Sequence, residues 1–288
     1  MSDASASASR GRMHWTFLGA GNMATSLVGG LLAGDARPDE VTLVDPHEET
    51  RERAAERFGV AAFERLDAAP APPDGAVRGF VVAVKPDTVE AACRAIAAAA
   101  DADAPPLVVS VAAGVRLDAL AHWLSPATPI VRCMPNTPSL LGLGAIGLYA
   151  NAHCDESLLR RAEALLASAG TTVRVPEERL LDAVTALSGS GPAYLFALTE
   201  HMAAAGVELG LDRDVALELA IETVHGAACM ARSREAEPGE LRRRVTSKGG
   251  TTAAALAVFE EADLAGTVLE AMRAAHDRAI ELGDEYAP

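Results

Sequence analysis

The segment Trp15-Thr-Phe-Leu-Gly-Ala-Gly-Asn-Met-Ala24 decides the fold that the chain is expected to adopt. A short apolar run leads into Gly19 and Gly21, and a helical pattern of apolar residues follows over residues 27–32. Gly19 permits a tight turn, Gly21 lets a pyrophosphate approach the backbone, and the small Ala24 lets the helix pack closely on a sheet. A glycine turn between a strand and a helix N-terminus predicts a dinucleotide-binding site.

Further apolar strands alternate with helical segments through the first half of the chain. Helices are predicted over residues 48–57 and about 88–100. Alternation of this kind predicts a parallel sheet with helices on both faces. The later strands are predicted at residues 41–44, 80–84, 107–111 and 130–133, with 146–149 and 172–175 as two further candidates.

The pattern changes at Pro176, after which no convincing strand follows. Long helical stretches fill the remainder and are broken near residues 188–192, 210, 238–239 and 248–250. The predicted fold class is therefore α/β, with an N-terminal Rossmann-type domain followed by an all-α domain. We place a disordered leader at 1–12, the Rossmann domain at 13–176 and the helical domain at 177–288.

Composition excludes several classes of partner. The formal charge of −15 disfavours nucleic acid and anionic membranes as partners. The four cysteines form no CxxC pair, which argues against a disulfide scaffold and predicts reduced thiols in a cytoplasmic protein. No apolar run reaches the roughly 18 residues of a membrane span. The histidines fit no metal or triad spacing, so we predict no metal site.

The residue that ends the second predicted strand bears on the choice of cofactor. Asp45 lies 24 residues after Gly21, where an acid can hold the ribose 2′-OH of NAD. The alternative is an ordinary aspartate at the start of a turn. His47, Arg51 and Arg53 are candidates to bind the 2′-phosphate of NADP instead, so the residues alone leave the choice between the two cofactors open.

Other polar residues follow strands at the same predicted edge of the sheet. Ligands of open α/β sheets bind at the carboxyl ends of the strands. Lys85 there is either a contact to an anionic group or a solvated surface lysine. The predicted cofactor contacts are Leu18, Gly19, Ala20, Gly21, Asn22, Met23, Asp45, Ala83, Val84, Lys85, Pro86, Ser110 and Asn136.

Two hydroxyl- and glycine-rich segments precede helices in the second half. In Leu187-Ser-Gly-Ser-Gly-Pro192, Pro192 suits a first helical turn and Ser190 is a candidate N-cap. Val245-Thr-Ser-Lys-Gly-Gly-Thr-Thr252 combines two glycines and several hydroxyls with a helix N-terminus, which suits a carboxylate. Each segment is also compatible with a plain capped helix, but two such starts in one domain favour a ligand site.

Together these segments resemble the pyrroline-5-carboxylate reductase family. The resemblance rests on Phe17–Ala24, Val84-Lys-Pro86, Arg132-Cys-Met-Pro-Asn-Thr-Pro138, Thr185-Ala-Leu-Ser-Gly-Ser-Gly-Pro-Ala-Tyr194 and Val245–Thr252, in that order along nearly the whole chain. The first segment is shared with many dehydrogenases, and the last two are far more specific. Lys248 departs from the family, in which many members carry proline, and we expect only a local change there.

The resemblance implies reduction of 1-pyrroline-5-carboxylate to L-proline, with NADPH as the expected cofactor and NADH left open. It also implies an intertwined homodimer, assembled into a larger ring in many members and up to a decamer of dimers, with the site between the cofactor edge of one subunit and helices of its partner. Ser247 and Thr252 are the implied catalytic residues, and Thr252 lies near the ring nitrogen. The implied substrate contacts are Glu178, Ser190, Glu235, Gly249, Gly250, Thr251 and Thr252.

Two rival functions remain open from the sequence. A β-hydroxyacid-type dehydrogenase also joins an α/β half to a helical half, but it relies on a catalytic lysine in the helical domain. Lys248 is the only lysine after Lys85, and it lies in a glycine loop. A non-catalytic nucleotide-sensing dimer is the second rival, although a sensor needs no second cradle for a small molecule.

Overall fold

The computed structural model describes residues 11–73, 75–101 and 104–287. The predicted leader lies mostly outside the described residues, because residues 1–10 are not among them. The chain divides into two compact units, one ending at Gly189 and resuming at His276, the other formed by Ser190–Ala275. The first unit carries all of the strands in the described part of the chain.

The first unit is built on an eight-stranded sheet with the order β3-β2-β1-β4-β5-β6-β7-β8. The prediction of an entirely parallel sheet is wrong at one place, since β7 runs antiparallel to β6 while all other neighbours are parallel. The loop from β6 to β7 is too short for a crossover helix, so the chain returns along its neighbour. The strands are β1 Met13–Leu18, β2 Val41–Val44, β3 Ala61–Phe63, β4 Val77–Val82, β5 Leu107–Ser110, β6 Ile130–Met134, β7 Gly144–Ala150 and β8 Gly170–Arg174.

Five helices lie between these strands, and a sixth follows β8. Sequence patterns predicted the first three, whereas α4, α5 and the three-residue strand β3 were missed. The helices are α1 Asn22–Ala33, α2 Glu48–Phe58, α3 Val89–Ala99, α4 Leu117–Trp123, α5 Glu156–Ala167 and α6 Leu180–Val184. Short 3₁₀ turns lie at Pro38–Glu40, Leu66–Ala68, Pro86–Thr88 and Thr137–Leu141.

The two faces of the sheet carry separate apolar cores. Phe17 of β1 belongs to one core and the next residue, Leu18, to the other, as expected from the alternation of side chains along a strand. The first core is completed by α1 and α5, which contribute residues such as Leu27 and Leu165. The second contains Ile96 of α3 and residues of α4. Burial on both faces explains why the central strands read as unbroken apolar runs.

The second unit is entirely helical over its described residues. It contains α7 Gly191–Glu208, α8 Arg213–Arg232, α9 Pro238–Arg244, α10 Thr251–Glu261 and the part of α11 Leu264–Glu285 that precedes His276. Many large apolar side chains are exposed on these helices, including Leu195, Phe196, Leu198, Val258 and Phe259. None of the helices in the described part of the chain is long and apolar enough to cross a membrane.

The predicted domain boundary at residue 176 stays a prediction. The division into compact units falls at a different place, after Gly189. Helix α6 follows that boundary, yet its Leu181 is fully buried in the first unit. The last turns of α11, from His276, likewise belong to the first unit. Compactness therefore assigns α6 and the chain end to the sheet, whereas the strand pattern alone stops at Pro176.

Two neighbouring glycines of α1 provide a test of the packing. A Cβ at Gly30 would overlap the side chain of Ser168, whereas a Cβ at Gly29 would meet only the ring edge of Phe58, at 3.3 Å. Gly30→Ala should lower the free energy of unfolding by about 1–3 kcal/mol through overpacking. Gly29→Ala should be neutral or stabilise by up to about 1 kcal/mol through helix propensity. Urea unfolding of both variants measures this, and equal stability of the pair would contradict the packing.

A buried histidine predicts how stability depends on pH. His14 is buried, its Nε2 lies 3.0 Å from Thr42 Oγ1, and burial lowers its pKa below the ordinary value of 6.5, with Arg78 lowering it further and Asp39 and Glu40 opposing. Because the pKa of His14 is lowered in the folded state, the stability that depends on a neutral His14 is fully present above about pH 6.5. That stability is lost as the pH falls through the folded-state pKa.

We therefore expect the free energy of unfolding of the wild type to fall between about pH 6.5 and 5 by more than that of His14→Gln, since glutamine does not titrate. Urea unfolding at several pH values measures the difference. The exposed His153 provides the control, because His153→Gln should keep the wild-type pH dependence. Parallel curves of the free energy of unfolding against pH for the wild type and His14→Gln would show that protonation of buried His14 does not destabilise the fold.

Candidate active site

The glycine turn after β1 lies at the point where the strand order reverses. Gly19 adopts φ +99° and donates its backbone N–H to Val44 O at 2.8 Å. A Cβ at this position would lie 2.6 Å from the carbonyl oxygen of Ala83, which follows β4. Only glycine fits both the backbone conformation and this approach. The turn is thus held in the crevice between β1 and β4, where doubly wound sheets bind ligands.

The N-terminus of α1 opens directly from this turn. Gly21 is the N-cap residue, with φ −71° and ψ −173°, and no side chain caps it. Gly21 and Asn22 are exposed, while Ala24 is fully buried against the sheet. The first N–H groups of a helix have no partner within the helix, so those of Asn22 and Met23 remain available to an anion. This end of α1 has the chemistry of a pyrophosphate seat.

Asp45 is buried at the end of β2, and its carboxylate bonds to the backbone. Oδ2 accepts from Ala20 N at 2.8 Å, and Oδ1 accepts from His47 N at 2.9 Å. Arg51 lies behind the same turn and donates to Asp45 O at 2.9 Å. The predicted contact between Asp45 and a ribose stays a prediction, and both carboxylate oxygens already have partners.

Three other predicted cofactor residues differ in exposure. Lys85 is exposed after β4, at the start of the Pro86–Thr88 turn. Ser110 is fully buried, with its Oγ 3.4 Å from Ala112 N. Asn136 is also buried: its Nδ2 donates to Ser188 O at 2.9 Å and its Oδ1 accepts from Ala145 N at 3.0 Å. Lys85 is therefore open to a ligand, while the other two stabilise the edge of the sheet from behind.

Cys133 lies beneath the same edge and is protonated at neutral pH. It is buried, its Sγ donates to Ser110 O at 3.1 Å, and burial raises its pKa to about 12. A thiol in this state is a poor nucleophile, because the thiolate is the reactive form. The edge therefore offers binding groups, and Cys133 is not suited to covalent catalysis.

The Gly-Gly loop of the helical unit forms a tight turn before α10. Gly250 N donates to Ser247 O at 3.0 Å, and Gly249 adopts φ +72°. A turn with a left-handed third residue favours proline at its second position, which Lys248 occupies here without loss of the turn. Thr251 and Thr252 open α10, whose N-terminus has no side-chain cap. Backbone N–H groups and hydroxyls thus converge on one helix start.

The Ser-Gly-Ser-Gly-Pro segment differs from the prediction. A π-helical turn at Thr185–Gly189 leads directly into α7, and Ser190 has helical dihedrals of −84° and −21°. An N-cap residue accepts from the helix only when its own backbone is extended, so the predicted capping by the Ser190 side chain is wrong. Pro192 lies in the first turn of α7 as predicted. π-helical turns are rare in proteins and are frequently found at functional sites.

Glu178 and Glu235, the two predicted acidic substrate contacts, lie in different surroundings. Glu235 is exposed between α8 and α9. Glu178 Oε1 accepts from Leu117 N at 2.7 Å and from Arg132 Nη1 at 2.8 Å, and the side chain of Arg132 is only 6% exposed. Glu178 therefore has a structural role, and its contact with a substrate stays a prediction.

Sequence reasoning missed the charged cluster around Glu178. Arg132 Nη2 also lies 3.9 Å from Asp182 Oδ1. A cavity of about 280 Å³ adjoins the cluster. It is lined by Arg116, Arg132, Glu178, Arg179, Asp182 and Ile280. The signal was an arginine within the apolar run of β6. A buried cation requires an acidic partner, but sequence alone does not identify which acid approaches it.

The fold and the phosphate seat define a class: the chain has a Rossmann domain of the dinucleotide-binding type. Residues 15–114 match the family described as NADP oxidoreductase, coenzyme F420-dependent, and residues 178–282 match the family described as pyrroline-5-carboxylate reductase dimerisation. A pyrroline-5-carboxylate reductase of Pseudomonas aeruginosa is 44% identical over 93% of this chain and 96% of that protein. The chain belongs to the pyrroline-5-carboxylate reductase family.

Solved structures agree with this assignment. A pyrroline-5-carboxylate reductase from Coxiella burnetii superposes with a TM-score of 0.87, at 36% identity over 94% of this chain and 98% of that one. The pyrroline carboxylate reductase of Plasmodium falciparum with NADP bound has a TM-score of 0.80, at 25% identity over 95% of this chain and 99% of that one. The predicted fold class, a Rossmann domain followed by a helical dimerisation domain, is confirmed.

The Glu178 cluster yields a test of its role. Glu178→Gln removes the charge that pairs with buried Arg132, and we expect the free energy of unfolding to fall by about 1–3 kcal/mol. The KM for the imine substrate should stay within about twofold of the wild type, because the carboxylate is bound to the protein itself. Urea unfolding and steady-state kinetics measure the two quantities. A KM that rises more than tenfold in a stably folded variant would instead assign Glu178 to the substrate.

Proposed function

We propose that this chain reduces 1-pyrroline-5-carboxylate to L-proline with hydride from NADPH, the last step of proline biosynthesis. The observation that carries the proposal is the 44% identity to a pyrroline-5-carboxylate reductase over nearly the full length of both chains. The glycine turn after β1 lies within the family match over residues 15–114, and the Gly-Gly loop before α10 lies within the match over residues 178–282. These two segments are the proposed cofactor seat and the proposed carboxylate cradle of this reaction.

The chemistry is a two-electron reduction of a C=N bond. Bound NADPH would supply a hydride to the imine carbon and be oxidised to NADP⁺, while the ring nitrogen would take a proton. The protein supplies orientation and hydrogen bonds, while the cofactor supplies the reducing electrons. Fixing the imine carbon at the nicotinamide can contribute about 7–11 kcal/mol to lowering the barrier.

The Gly-Gly loop is the proposed cradle for the substrate carboxylate. Ser247 and Thr251 are exposed and present hydroxyls beside the free N–H groups of α10. Thr252 is half-buried on the first turn and is proposed to hydrogen-bond the ring nitrogen. Gly249 and Gly250 allow the carboxylate to approach the backbone. Ser190 and Glu235 are proposed as additional substrate contacts.

NADPH is the proposed cofactor. A relative in the family binds NADP in its solved structure. In this chain, the Asp45 carboxylate that would favour NAD already accepts two backbone hydrogen bonds. Arg51 is anchored at the same turn through Asp45 O, close to where a 2′-phosphate would lie. These observations support NADPH over NADH, and Arg51 is the proposed 2′-phosphate contact.

A homodimer in the cytoplasm is the proposed state of the protein, with a decamer of dimers as the largest assembly considered. The exposed apolar side chains of α7, α8 and α10 form the kind of surface that monomers rarely leave uncovered. The match of residues 178–282 to a dimerisation family supports the same proposal. Sedimentation of the purified protein distinguishes monomer, dimer and larger ring.

One assay separates the proposal from its rivals. Purified protein is mixed with NADPH or NADH and 1-pyrroline-5-carboxylate, and the loss of nicotinamide absorbance is followed. The proposal predicts turnover with the imine and a higher kcat/KM for NADPH. Turnover of a β-hydroxyacid with NADP⁺, without imine reduction, would favour the dehydrogenase, and cofactor binding without any turnover would favour the sensor.

Thr252 gives the sharpest test of the cradle. Thr252→Ala should lower kcat/KM for the imine by well over tenfold, because the ring nitrogen loses its hydrogen-bond partner. Thr223→Ala is the matched control, since the Thr223 hydroxyl donates to Leu219 O at 2.6 Å within α8, and its loss should leave kcat/KM near the wild type. An unchanged value for Thr252→Ala would exclude this role for Thr252.

A further inference from the structure

The hydrogen bonds of Asp45 lie on the phosphate turn itself. Its side chain is buried, with 7% of the residue exposed, although it belongs to a strand end that borders the cofactor seat. Oδ2 accepts from Ala20 N at 2.8 Å, and Ala20 is the residue between the two glycines of the turn. Oδ1 accepts from His47 N at 2.9 Å and closes the turn after β2. The carboxylate thus joins two separate loops.

The same strand end holds the preceding residue of the turn. Gly19 N donates to Val44 O at 2.8 Å, so two successive N–H groups, those of Gly19 and Ala20, are bound by two successive residues, Val44 and Asp45. On the other side, the carbonyl of Ala83 leaves no room for a side chain at Gly19. The turn is therefore fixed before any cofactor arrives. Its remaining free donors are the first N–H groups of α1.

A ribose contact would require a different arrangement. An acid that binds the ribose 2′-OH must direct at least one oxygen into the cofactor site. Both oxygens of Asp45 accept from backbone N–H groups of the loops that they hold, and only 7% of the residue is exposed, so little of the carboxylate faces the cofactor site. Turning the carboxylate towards a ribose at the expense of the bond to Ala20 N would leave a buried N–H without a partner, which is costly.

We propose that Asp45 is a positioning residue that fixes the phosphate turn through Ala20 N, and that it does not discriminate between the 2′-hydroxyl of NADH and the 2′-phosphate of NADPH. This inference rests on the cofactor seat of the proposed function and not on its substrate. It follows that loss of the Asp45 carboxylate weakens the binding of both cofactors by the same factor. The preference for one cofactor is set elsewhere.

The first experiment measures the Kd of NADP⁺ and NAD⁺ for the wild type and Asp45→Asn by isothermal titration calorimetry. Asparagine offers one acceptor and one donor to two N–H groups, so one of the two bonds is lost. We expect both Kd values to rise by the same factor, about five- to tenfold. Weaker binding of NAD⁺ alone, or unchanged affinities for both cofactors, would overturn the proposal. Because no imine is present, the result is independent of the substrate assignment.

Asp45→Glu distinguishes the two roles a second time. Glutamate serves as well as aspartate on a ribose, so the ribose role predicts that NAD⁺ binding is retained. The positioning role predicts that both cofactors are weakened, since the longer side chain no longer meets Ala20 N. Asp155→Asn is the control: Asp155 Oδ1 accepts from Leu158 N at 2.8 Å at the start of α5, and its change should leave both Kd values unaltered.

A measurement on the wild type keeps the proposal testable if neither variant folds. In the cofactor-free protein, the amide of Ala20 should be protected from hydrogen exchange, because it is bonded to Asp45. The amides of Asn22 and Met23 at the start of α1 should exchange rapidly. Mass spectrometry with residue-level fragmentation, or NMR, resolves these positions. Rapid exchange at Ala20 would show that the Asp45 bond does not hold the turn.

Discussion

The contact between the turn after β1 and the end of β4 constrains everything built around the cofactor seat. Gly19 has a positive φ, and the carbonyl of Ala83 lies so close that no Cβ fits between the turn and the end of β4. The start of α1 is thereby set over the reversal point of the sheet. Its free N–H groups then face the edge at which a parallel sheet binds ligands. A single methyl group at Gly19 would displace this arrangement.

The two compact units differ in how they bury apolar surface. In the sheet unit, residues such as Phe17 and Phe80 are fully covered by helices on two faces. In the helical unit, only the small side chains Ala216 and Ala220 are buried among the described residues, and large apolar residues are exposed. Hydrophobic stabilisation scales with the apolar area removed from water. A unit that covers so little of its own apolar surface gains most from association, which agrees with the dimerisation family that it matches.

Sequence patterns predicted the parts of this molecule that local chemistry determines. The glycine turn, the helices α1 to α3 and the strands through β6 other than β3 each follow from residue types at fixed spacing. The antiparallel direction of β7 was not predictable, because strand direction depends on loop length and on which neighbour is free. The partners of Arg132 and Asp45 escaped for a related reason: a charged residue indicates that a partner exists, while its identity depends on contacts between distant segments.

Polar side chains at the cofactor edge serve mainly to bind the protein's own backbone. Asp45 and Asn136 both direct their side chains to main-chain groups, and Glu178 does the same at the start of α4. The groups that remain available to a ligand at the glycine turn are therefore mostly backbone N–H groups. This division of roles suits a chain with a formal charge of −15, since neutral dipoles bind a dianionic pyrophosphate without a cluster of cations. Fixed dipoles also lose little entropy on binding, so the buried carboxylate contributes to affinity by ordering the turn that the cofactor meets.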